Sequence, residues 1–288
     1  MKSQSKSQTT NRSASVTRRL RQIRHVALDL DGTIYLNKTL FETTLPFLSL
    51  LERLNIGHTF LTNNPSKSIA EYLAHLGKMG IQAGAEQLYT STQATIDFLK
   101  KDFARVRRLF VLGTPGLCDE LKRAGFELMP DDPHMPPDAV LVGFDQTLTY
   151  SRLCRAAWWI KQGKPFFATN PDLVCPTDEP TILIDCGSIT AALKKATNRS
   201  PHRVLGKPDP AMLRGILQRH CIAPQNLAMV GDRLYTDMEM ARRAGALAIL
   251  VLTGEATATE AEKSNPRPDL IVPSLREFGE MLQSSVKR

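Results

Sequence analysis

The sequence predicts an α/β fold built on a doubly wound parallel sheet. Short apolar segments alternate with segments whose apolar residues recur at helical spacing, and several apolar segments end in acidic residues. Strands that alternate with helices form right-handed βαβ units, which give a parallel sheet covered by helices on both faces. Such sheets bind ligands beyond the carboxyl ends of their strands. We therefore expect the functional residues where the apolar segments end.

The N-terminal half begins this alternation. Residues 25–31 and 57–64 are apolar segments of the buried-strand type, and a helix is predicted between them at residues 42–54, where leucines recur at helical spacing. A further helix is predicted after the second strand because Ser68 and Glu71 have the spacing of a capping box.

The rest of the chain continues the pattern. Further strands are predicted at residues 107–113, 138–144, 164–170, 227–232, 246–252 and 269–273. Helices are predicted between them at residues 115–124, 151–161 and 237–244. Periodicity alone leaves open whether the middle of the chain extends the same sheet or forms a second domain.

The net charge of +8 is concentrated at the N-terminus. Residues 1–28 contain seven basic side chains and no acidic one, which leaves 30 basic and 29 acidic side chains in the rest of the chain. This near-neutral body argues against nucleic acid as a partner. Residues 1–22 are rich in Ser, Thr and Arg, and we expect a disordered basic tail there. A transit peptide has a similar composition but is disfavoured because no regular apolar face runs through residues 1–20.

The composition also bears on the location of the protein. No apolar segment approaches the ~20 residues of a membrane-spanning helix, and the start of the chain lacks the apolar core of a signal peptide. The five cysteines are odd in number and scattered, which favours reduced thiols over a disulfide framework. These features predict a cytoplasmic protein without a membrane partner.

The most informative motif is DLDGT at residues 29–33. Its two acids, Asp29 and Asp31, are separated by one residue at the end of a predicted strand, so they point to the same side. Gly32 permits a sharp turn that directs backbone N–H groups toward an anion. The motif therefore predicts paired carboxylates beside an anion site.

A second motif, GDRLYTD at residues 231–237, adds Asp232 and Asp237 around the end of another strand. Four carboxylates that meet in one cleft repel one another, and a divalent cation with oxygen ligands relieves that repulsion. This donor set favours Mg²⁺. A phosphate beside the acids also needs donors, which Thr62 and Lys207 supply as a hydroxyl and an ammonium group.

Four motifs in this order resemble those of the haloacid dehalogenase-like phosphatases. They are DLDGT, LTNN at 61–64, GKPDP at 206–210 and GDRLYTD. Three further segments are similar to the branch that contains NagD and the p-nitrophenyl phosphatases, subclass IIA. They are GFDQTLTY at 143–150, ATNPD at 168–172 and LVLTGEAT at 250–257. The resemblance covers residues 23–285 and leaves out the N-terminal tail.

The resemblance implies a Rossmann-like core at residues 23–83 and 187–288, with an α/β cap domain inserted at residues 84–186. The cap of this family closes over the site and recognises the leaving group. It also commonly mediates self-association, so we expect a homodimer through the cap. Asn170 and Asp172 lie where the family's cap approaches the core. They are candidates either for substrate binding or for a structural role in the cap.

The resemblance also implies the chemical roles. Asp29 would attack phosphorus and carry the phosphoryl group, and Asp31 would protonate the leaving oxygen and then activate water. Mg²⁺ would be bound by the carboxylates of Asp29 and Asp232 and by the backbone carbonyl of Asp31. Asp237 would support the ion through water, with a plain helix-terminal carboxylate as the alternative.

Phosphate binding is expected from Gly32, Thr62 and Lys207, and from Asn63 unless that residue only forms a turn. One segment departs from the family. Many members have a Gly-rich stretch before the third motif, where this chain has Asp185 and Cys186. This departure removes the basis for borrowing a substrate preference from the family.

The expected function is Mg²⁺-dependent hydrolysis of a small phosphorylated metabolite through an aspartyl-phosphate intermediate. Nucleoside monophosphates, sugar phosphates and glycerol- or glycolate-type phosphates remain open as substrates. A cap over the site argues against protein substrates. Two alternatives remain: a non-catalytic sensor that keeps a phosphorylated aspartate, and a phosphotransferase or mutase.

Overall fold

The computed structural model describes residues 15–175, 177 and 179–286 of the chain. They form two compact units, each with its own mixture of helices and parallel strands, which confirms the predicted α/β class. Of the described residues, those within Met1–Leu61, Met79–Ile81 and Ile216–Arg288 form the first unit, and those within Thr62–Lys78 and Gln82–Gly215 form the second. Within the described ranges, no helix is both long enough and apolar enough to cross a bilayer.

The elements are short and alternate along the chain. The helices are α1 (15–22), α2 (Thr44–Arg53), α3 (Ile69–Lys78), α4 (Ser91–Asp102), α5 (Pro115–Arg123), α6 (Tyr150–Lys161), α7 (Cys186–Thr197), α8 (Ala211–Arg219), α9 (Glu239–Ala244), α10 (Ala258–Lys263) and α11 (Leu275–Val286). The strands are β1 (His25–Asp29), β2 (Tyr35–Leu36), β3 (Thr39–Leu40), β4 (Gly57–Thr62), β5 (Leu88–Thr90), β6 (Arg108–Leu112), β7 (Glu127–Leu128), β8 (Ala139–Val142), β9 (Phe166–Ala168), β10 (Val174–Cys175), β11 (Leu183–Ile184), β12 (Arg203–Val204), β13 (Leu227–Gly231), β14 (Leu247–Val251) and β15 (Leu270–Val272).

In the first unit, parallel strands follow the order β15-β14-β13-β1-β4. Strand β1 pairs with both β13 and β4, so that Leu28 lies opposite Val230 on one side and Phe60 on the other. All residues of β1, β13 and β14 are buried, because helices cover both faces of a parallel sheet. This arrangement places Asp29 at the carboxyl end of β1 and Gly231 at the carboxyl end of β13, directly before Asp232.

The second unit has its own five-stranded parallel sheet, in the order β12-β9-β8-β6-β7. Successive residues of β6 and β8 alternate between two apolar clusters, one on each face of the sheet. Phe110 and Leu112 pack in the cluster that includes residues of α6 and α7, whereas Leu109 and Val111 pack in the cluster that includes residues of α4 and α5. The middle of the chain therefore builds a second doubly wound sheet.

The second unit extends beyond the predicted cap at residues 84–186. Helix α7 and strand β12 were expected in the Rossmann-like core, but Ile189 and Leu193 of α7 pack on the sheet of the second unit. Strand β12 pairs with β9 of the same sheet. The boundary differs because the family motifs mark functional loops, whereas the packing of apolar residues decides which sheet a helix joins.

The predicted disordered tail at residues 1–22 is wrong for residues 15–22, which form α1. Val16 and Leu20 are buried, and the Arg19 guanidinium forms an ion pair with Asp269 at 3.2 Å. Two apolar residues four positions apart were enough to dock one helical face, although the composition of the segment is polar. Residues 1–14 lie outside the described part of the chain.

Candidate active site

Three buried carboxylates lie together in the first unit. Asp29 ends β1, Asp232 follows β13, and Asp237 lies in the segment after it. Each offers a carboxylate oxygen, and these oxygens lie within 4.8 Å of one another. We call this group the acid cluster. Its donors are all hard oxygens at a spacing that can surround one small divalent cation.

Two glycines shape the space around Asp232. A Cβ at Gly32 or Gly254 would collide with the Asp232 carboxylate, so both positions need a residue without a side chain. Gly32 also has φ of +78°, a left-handed conformation that glycine adopts without strain. The backbone N–H of Glu255 donates a hydrogen bond to Oδ2 of Asp232 at 2.7 Å. The Asp232 carboxylate is thus held in one orientation by the two loops.

Asp237 is positioned by an irregular helical turn. A helix was predicted from residue 237, but the structure begins earlier with a π-helical segment, Leu234–Met238, which continues as α9. The backbone N–H of Arg233 donates to Oδ2 of Asp237 at 3.2 Å. A side chain at Gly231 would also collide with Asp237. The Asp237 side chain is fully buried, and single π-helical turns occur frequently at functional sites.

Asp31 differs from the other acids of the predicted site. It is exposed and does not belong to the acid cluster. The loop that carries it is closed by backbone hydrogen bonds, from Gly32 N to the Tyr35 carbonyl at 2.8 Å and from Ile34 N to the Leu30 carbonyl at 2.8 Å. An exposed carboxyl next to the cluster can exchange protons with solvent, which suits an acid–base group.

A cation accompanies the acid cluster. The Arg233 Nε lies 3.0 Å from Oε2 of Glu255, and the Tyr235 hydroxyl donates to the same oxygen at 3.3 Å. Burial opposes the charge on Arg233, but Tyr235 and the surrounding carboxylates outweigh burial and raise the pKa of the guanidinium. Arg233 therefore stays charged and offsets part of the negative charge of the first unit's site.

The remaining predicted site residues lie in the second unit, where Asn63 is hydrogen-bonded to Lys207, Asn170 and Asp172. Its side-chain oxygen accepts a hydrogen bond from the Lys207 backbone N–H at 2.6 Å. Its side-chain nitrogen donates to the Lys207 carbonyl at 3.0 Å and to Oδ2 of Asp172 at 3.0 Å. Its backbone carbonyl accepts from Nδ2 of Asn170 at 2.8 Å. Asn63 thus fixes the loop of Lys207, and its predicted contact with phosphate stays a prediction.

Gly206 makes the close approach of this loop possible. It has φ of +73°, and a Cβ there would lie 2.7 Å from the Asn63 side-chain oxygen and 2.8 Å from the Thr169 carbonyl. Lys207 is buried, as is Thr62, whose hydroxyl accepts a hydrogen bond from Asn64 N at 3.1 Å. Local turns therefore hold the Thr62 hydroxyl and the backbone of Lys207, the two residues that were expected to bind phosphate.

Asp185 and Cys186, the departure from the family pattern, begin α7. The Asp185 carboxylate caps the helix by accepting a hydrogen bond from Cys186 N at 2.5 Å. Burial raises the pKa of Asp185 to about 6, against the effect of that hydrogen bond and with a smaller contribution from Asp172. The Cys186 thiol is buried and donates to the Val142 carbonyl at 3.1 Å. Both residues thus have structural partners within the second unit.

Comparisons with known proteins place this arrangement in a family. Two protein-family sequence models match the chain. The one described as haloacid dehalogenase-like hydrolase matches residues 26–127, and the one described as HAD-hydrolase-like matches residues 204–278. The acid sugar phosphatase of Staphylococcus aureus is 31% identical over 258 residues, which span 90% of this chain and 97% of that protein. This chain belongs to the haloacid dehalogenase-like hydrolase family.

Solved structures place this hydrolase in the branch of NagD and the nitrophenyl phosphatases, as the resemblance implied. The 4-nitrophenylphosphatase of Thermotoga maritima is 38% identical with a TM-score of 0.85, and the match covers 91% of this chain and 98% of that one. A glycerol phosphate phosphatase of Mycobacterium tuberculosis, solved in complex with calcium, is 34% identical with a TM-score of 0.82, covering 90% of this chain and 76% of that one.

Two residues of this hydrolase's site were absent from the sequence-based prediction. Arg233 follows Asp232 directly within GDRLYTD, and Glu255 lies within LVLTGEAT, one of the segments that carry the resemblance to the NagD branch. The signal for Arg233 was its place between two carboxylates of one motif. Nothing in the sequence indicates the ion pair between Arg233 and Glu255, since it joins two separate loops.

Proposed function

We propose that this hydrolase is a phosphatase that hydrolyses phosphomonoesters of small metabolites with Mg²⁺ and through an aspartyl-phosphate on Asp29. The observation that carries the proposal is the acid cluster, which combines Asp29 of DLDGT with the two aspartates of GDRLYTD. Its relatives are named as an acid sugar phosphatase, a 4-nitrophenylphosphatase and a glycerol phosphate phosphatase, and these names support the same reaction class.

The acid cluster fits a divalent cation. Its three carboxylates are nearly fully buried, and grouping them without a counter-charge carries a large desolvation and repulsion cost. Asp29 and Asp232 would bind Mg²⁺ directly together with the backbone carbonyl of Asp31, and Asp237 would support it. When bound, the ion would neutralise part of the charge between the nucleophile and the phosphate.

The proton and phosphoryl transfers are assigned to the DLDGT loop. A carboxylate oxygen of Asp29 attacks phosphorus, the ester P–O bond breaks, and the carboxyl proton of Asp31 moves to the leaving oxygen. In the second step, Asp31 takes a proton from water, which attacks the same phosphorus. The Asp29 carboxylate and inorganic phosphate are released. The exposure of Asp31 supports this exchange of protons with solvent.

Phosphoryl oxygens are assigned to Gly32, Thr62 and Lys207. The Lys207 loop is held rigid by both ends of the Asn63 amide, which supports a positioned ammonium group. Asn170 and Asp172 bind the same Asn63 and are proposed to shape the substrate side, with the identity of the substrate open among nucleoside monophosphates, sugar phosphates and glycerol- or glycolate-type phosphates. A homodimer through the predicted cap, residues 84–186, is also part of the proposal.

The test is release of inorganic phosphate from a panel of phosphorylated metabolites, with Mg²⁺ and with EDTA. Asp29→Asn should lower release by at least about a thousandfold, equivalent to about 4 kcal/mol of transition-state free energy. Asp119→Asn is the matched control, because Asp119 is an exposed aspartate of α5 in the second unit. Wild-type protein that becomes stably phosphorylated without releasing phosphate would establish the sensor instead. Release that requires an added acceptor would establish a phosphotransferase or mutase.

A further inference from the structure

A cavity of about 610 Å³ lies in the first unit beside the π-helical segment. It is bordered by α1, α9, β14 and the loop at residues 264–269. The four aspartates of the proposed reaction do not line it. Its volume falls within the range of pockets that bind metabolite-sized molecules, roughly 300–1,000 Å³. We call it the side pocket.

The acids of the side pocket are already engaged by arginines. Asp269 accepts hydrogen bonds from the Arg19 guanidinium at 3.2 Å and from Ala248 N at 2.8 Å. Glu239 accepts two hydrogen bonds from Arg242 at 2.8 and 2.7 Å and one from Arg243 at 2.6 Å. These bonds hold the pKa of Glu239 at about 2, so it stays ionised. Neither acid repels an incoming anion as strongly as an unpaired carboxylate would.

Positive charge remains available in the side pocket. Arg267 lines it, is exposed, and forms no ion pair with any residue in the described part of the chain. Arg242 uses Nε and one terminal nitrogen for Glu239, while about half of its side chain stays exposed. Two guanidinium groups can thus offer N–H donors to a ligand, in the fork geometry that matches carboxylates and phosphates.

The rest of the lining is largely apolar. Leu234 and Met238 come from the π-helical segment, and Pro266 and Pro268 come from the opposite loop. Tyr235, from the same π-helical segment, also lines the pocket and is 58% exposed. An exposed aromatic ring beside guanidinium groups favours a ligand with a planar apolar body, because such a body stacks on both.

We propose that the side pocket binds a small organic anion with a planar apolar body, whose phosphate or carboxylate is held by Arg267 and Arg242. Nucleotides and aromatic carboxylates share this chemistry. Inorganic anions lack the apolar body, and uncharged rings lack the group that the guanidinium groups recognise.

The side pocket is connected to the acid cluster through short contacts. Leu234, Tyr235 and Met238 belong to the same π-helical segment as Asp237. The Tyr235 hydroxyl donates to Glu255 at 3.3 Å, and the Glu255 backbone N–H donates to Asp232. A ligand on Tyr235 therefore acts on a segment and a loop that orient two of the clustered carboxylates. Its occupancy should change the affinity of the protein for Mg²⁺, and by linkage Mg²⁺ should change the affinity for the ligand.

The test is isothermal titration calorimetry of the full chain in EDTA with two probes, α,β-methylene-ADP and 2-naphthoate. Without a cation, the acid cluster repels anions, so binding there is suppressed. Two control compounds each have one of the two features: sulfate has the negative charge without the apolar body, and adenosine has the apolar body without the charge. Arg267→Glu and Arg267→Gln remove the cation, and Arg276→Glu is the matched control because Arg276 is exposed in α11 of the same unit and does not line the pocket.

We expect at least one probe to bind with a Kd below about 1 mM, and at least about tenfold more weakly in both Arg267 variants, but not in Arg276→Glu. Absence of binding by both probes up to about 5 mM overturns the proposal. It is also overturned if the Arg267 variants bind as well as wild type, if Arg276→Glu loses as much affinity, or if sulfate or adenosine binds as tightly as the probes. Melting temperatures of the unliganded variants check that each is folded.

Discussion

The two units share one architecture but differ in the surroundings of their buried carboxylates. In the second unit, Asp145 follows β8, and its fully buried side chain lies 3.0 Å from the Arg152 guanidinium. Thr147 adds hydrogen bonds to the same carboxylate from its backbone at 2.9 Å and from its hydroxyl at 2.7 Å. The first unit instead gathers three buried carboxylates within 4.8 Å of one another.

This difference shows what a doubly wound sheet does and does not determine. In both units the sheet delivers an acid to the carboxyl end of a strand. The second unit compensates the charge internally with an arginine, which gives a structural ion pair. The first unit brings carboxylates together, which gives a site whose charge is suited to a cation from solution. Function follows from the residue types at the strand ends and not from the fold.

Among the substitutions that test this difference between the units, we expect the largest effect from Asp232→Asn in the acid cluster. Replacing one member of the acid cluster should lower Mg²⁺-dependent phosphate release by at least about a hundredfold, because the cation loses a proposed ligand. It should also abolish the Mg²⁺-induced rise in melting temperature, which for wild type corresponds to about 2.7 kcal/mol at a hundred times the Kd. Asp145→Asn is the matched control and should keep the response to Mg²⁺. An unchanged response in Asp232→Asn would show that the cluster does not hold the ion.

Arg152→Ala should break the ion pair of the second unit. The Asp145 carboxylate would then be buried without its cation, at a cost of about 3 kcal/mol in the free energy of unfolding. Urea denaturation measures this loss. The double variant Arg152→Ala, Asp145→Asn should recover part of the stability, because the uncompensated charge is gone. If the double variant is no more stable than Arg152→Ala, charge burial is not the cause of the loss.

The buried histidines give the first unit an acid sensitivity. His25 donates or accepts a hydrogen bond with Thr59 at 2.8 Å, and burial, with smaller effects from His220 and His58, lowers its pKa from 6.5 to about 3. The unfolded chain binds the proton that folded His25 excludes. The contribution of His25 to the free energy of unfolding is therefore fully present above pH ~6.5 and is lost as the pH falls toward ~3. For this one proton, the free energy of unfolding should fall by about 1.4 kcal/mol for each unit that the pH decreases within this range.

His25→Gln should reduce that slope, since glutamine keeps a hydrogen-bonding group and does not titrate. Urea denaturation between pH 4 and 7 measures the effect, with exposed His134→Gln as the control. Equal slopes for wild type and His25→Gln would exclude His25 as the source.

The second unit should show the opposite and smaller pH effect at Asp185. Its pKa is raised from 3.8 to about 6 by burial, so folding favours the protonated form. The stability contributed by that proton is fully present below pH ~4 and is lost as the pH rises through ~6. Asp185→Asn keeps an oxygen that can cap Cys186 N and should become more stable relative to wild type as the pH rises from 4 to 7. A constant difference across this range would contradict the raised pKa.

Much of the strand framework could be predicted from the sequence. The predicted strands at residues 107–113 and 138–144 contain β6 and β8, because strands buried on both faces are continuous apolar segments bounded by turn residues. The capping box also formed, since Ser68 N donates to Oε2 of Glu71 at 2.7 Å.

What could not be predicted depends on contacts between distant segments. The docking of α1 rests on Val16, Leu20 and an ion pair with a residue 250 positions away. In the same way, the motifs predict a role for Asn63 in the site, but its hydrogen bonds to Lys207 span 144 positions and have no local signal in the sequence. Sequence periodicity reports local structure and burial, and it does not report which distant groups meet.

The division of the chain has a consequence for the order in which the protein folds during synthesis. The sheet of the second unit uses strands from one stretch, residues 108–204, so all its partners leave the ribosome in succession. In the first unit, β1 pairs with β13, whose first residue lies about two hundred positions later. Pairings so distant in sequence form late and slowly. We therefore expect the acid cluster to be absent from the nascent chain until its last quarter emerges, so that a nascent chain cannot begin the proposed hydrolysis.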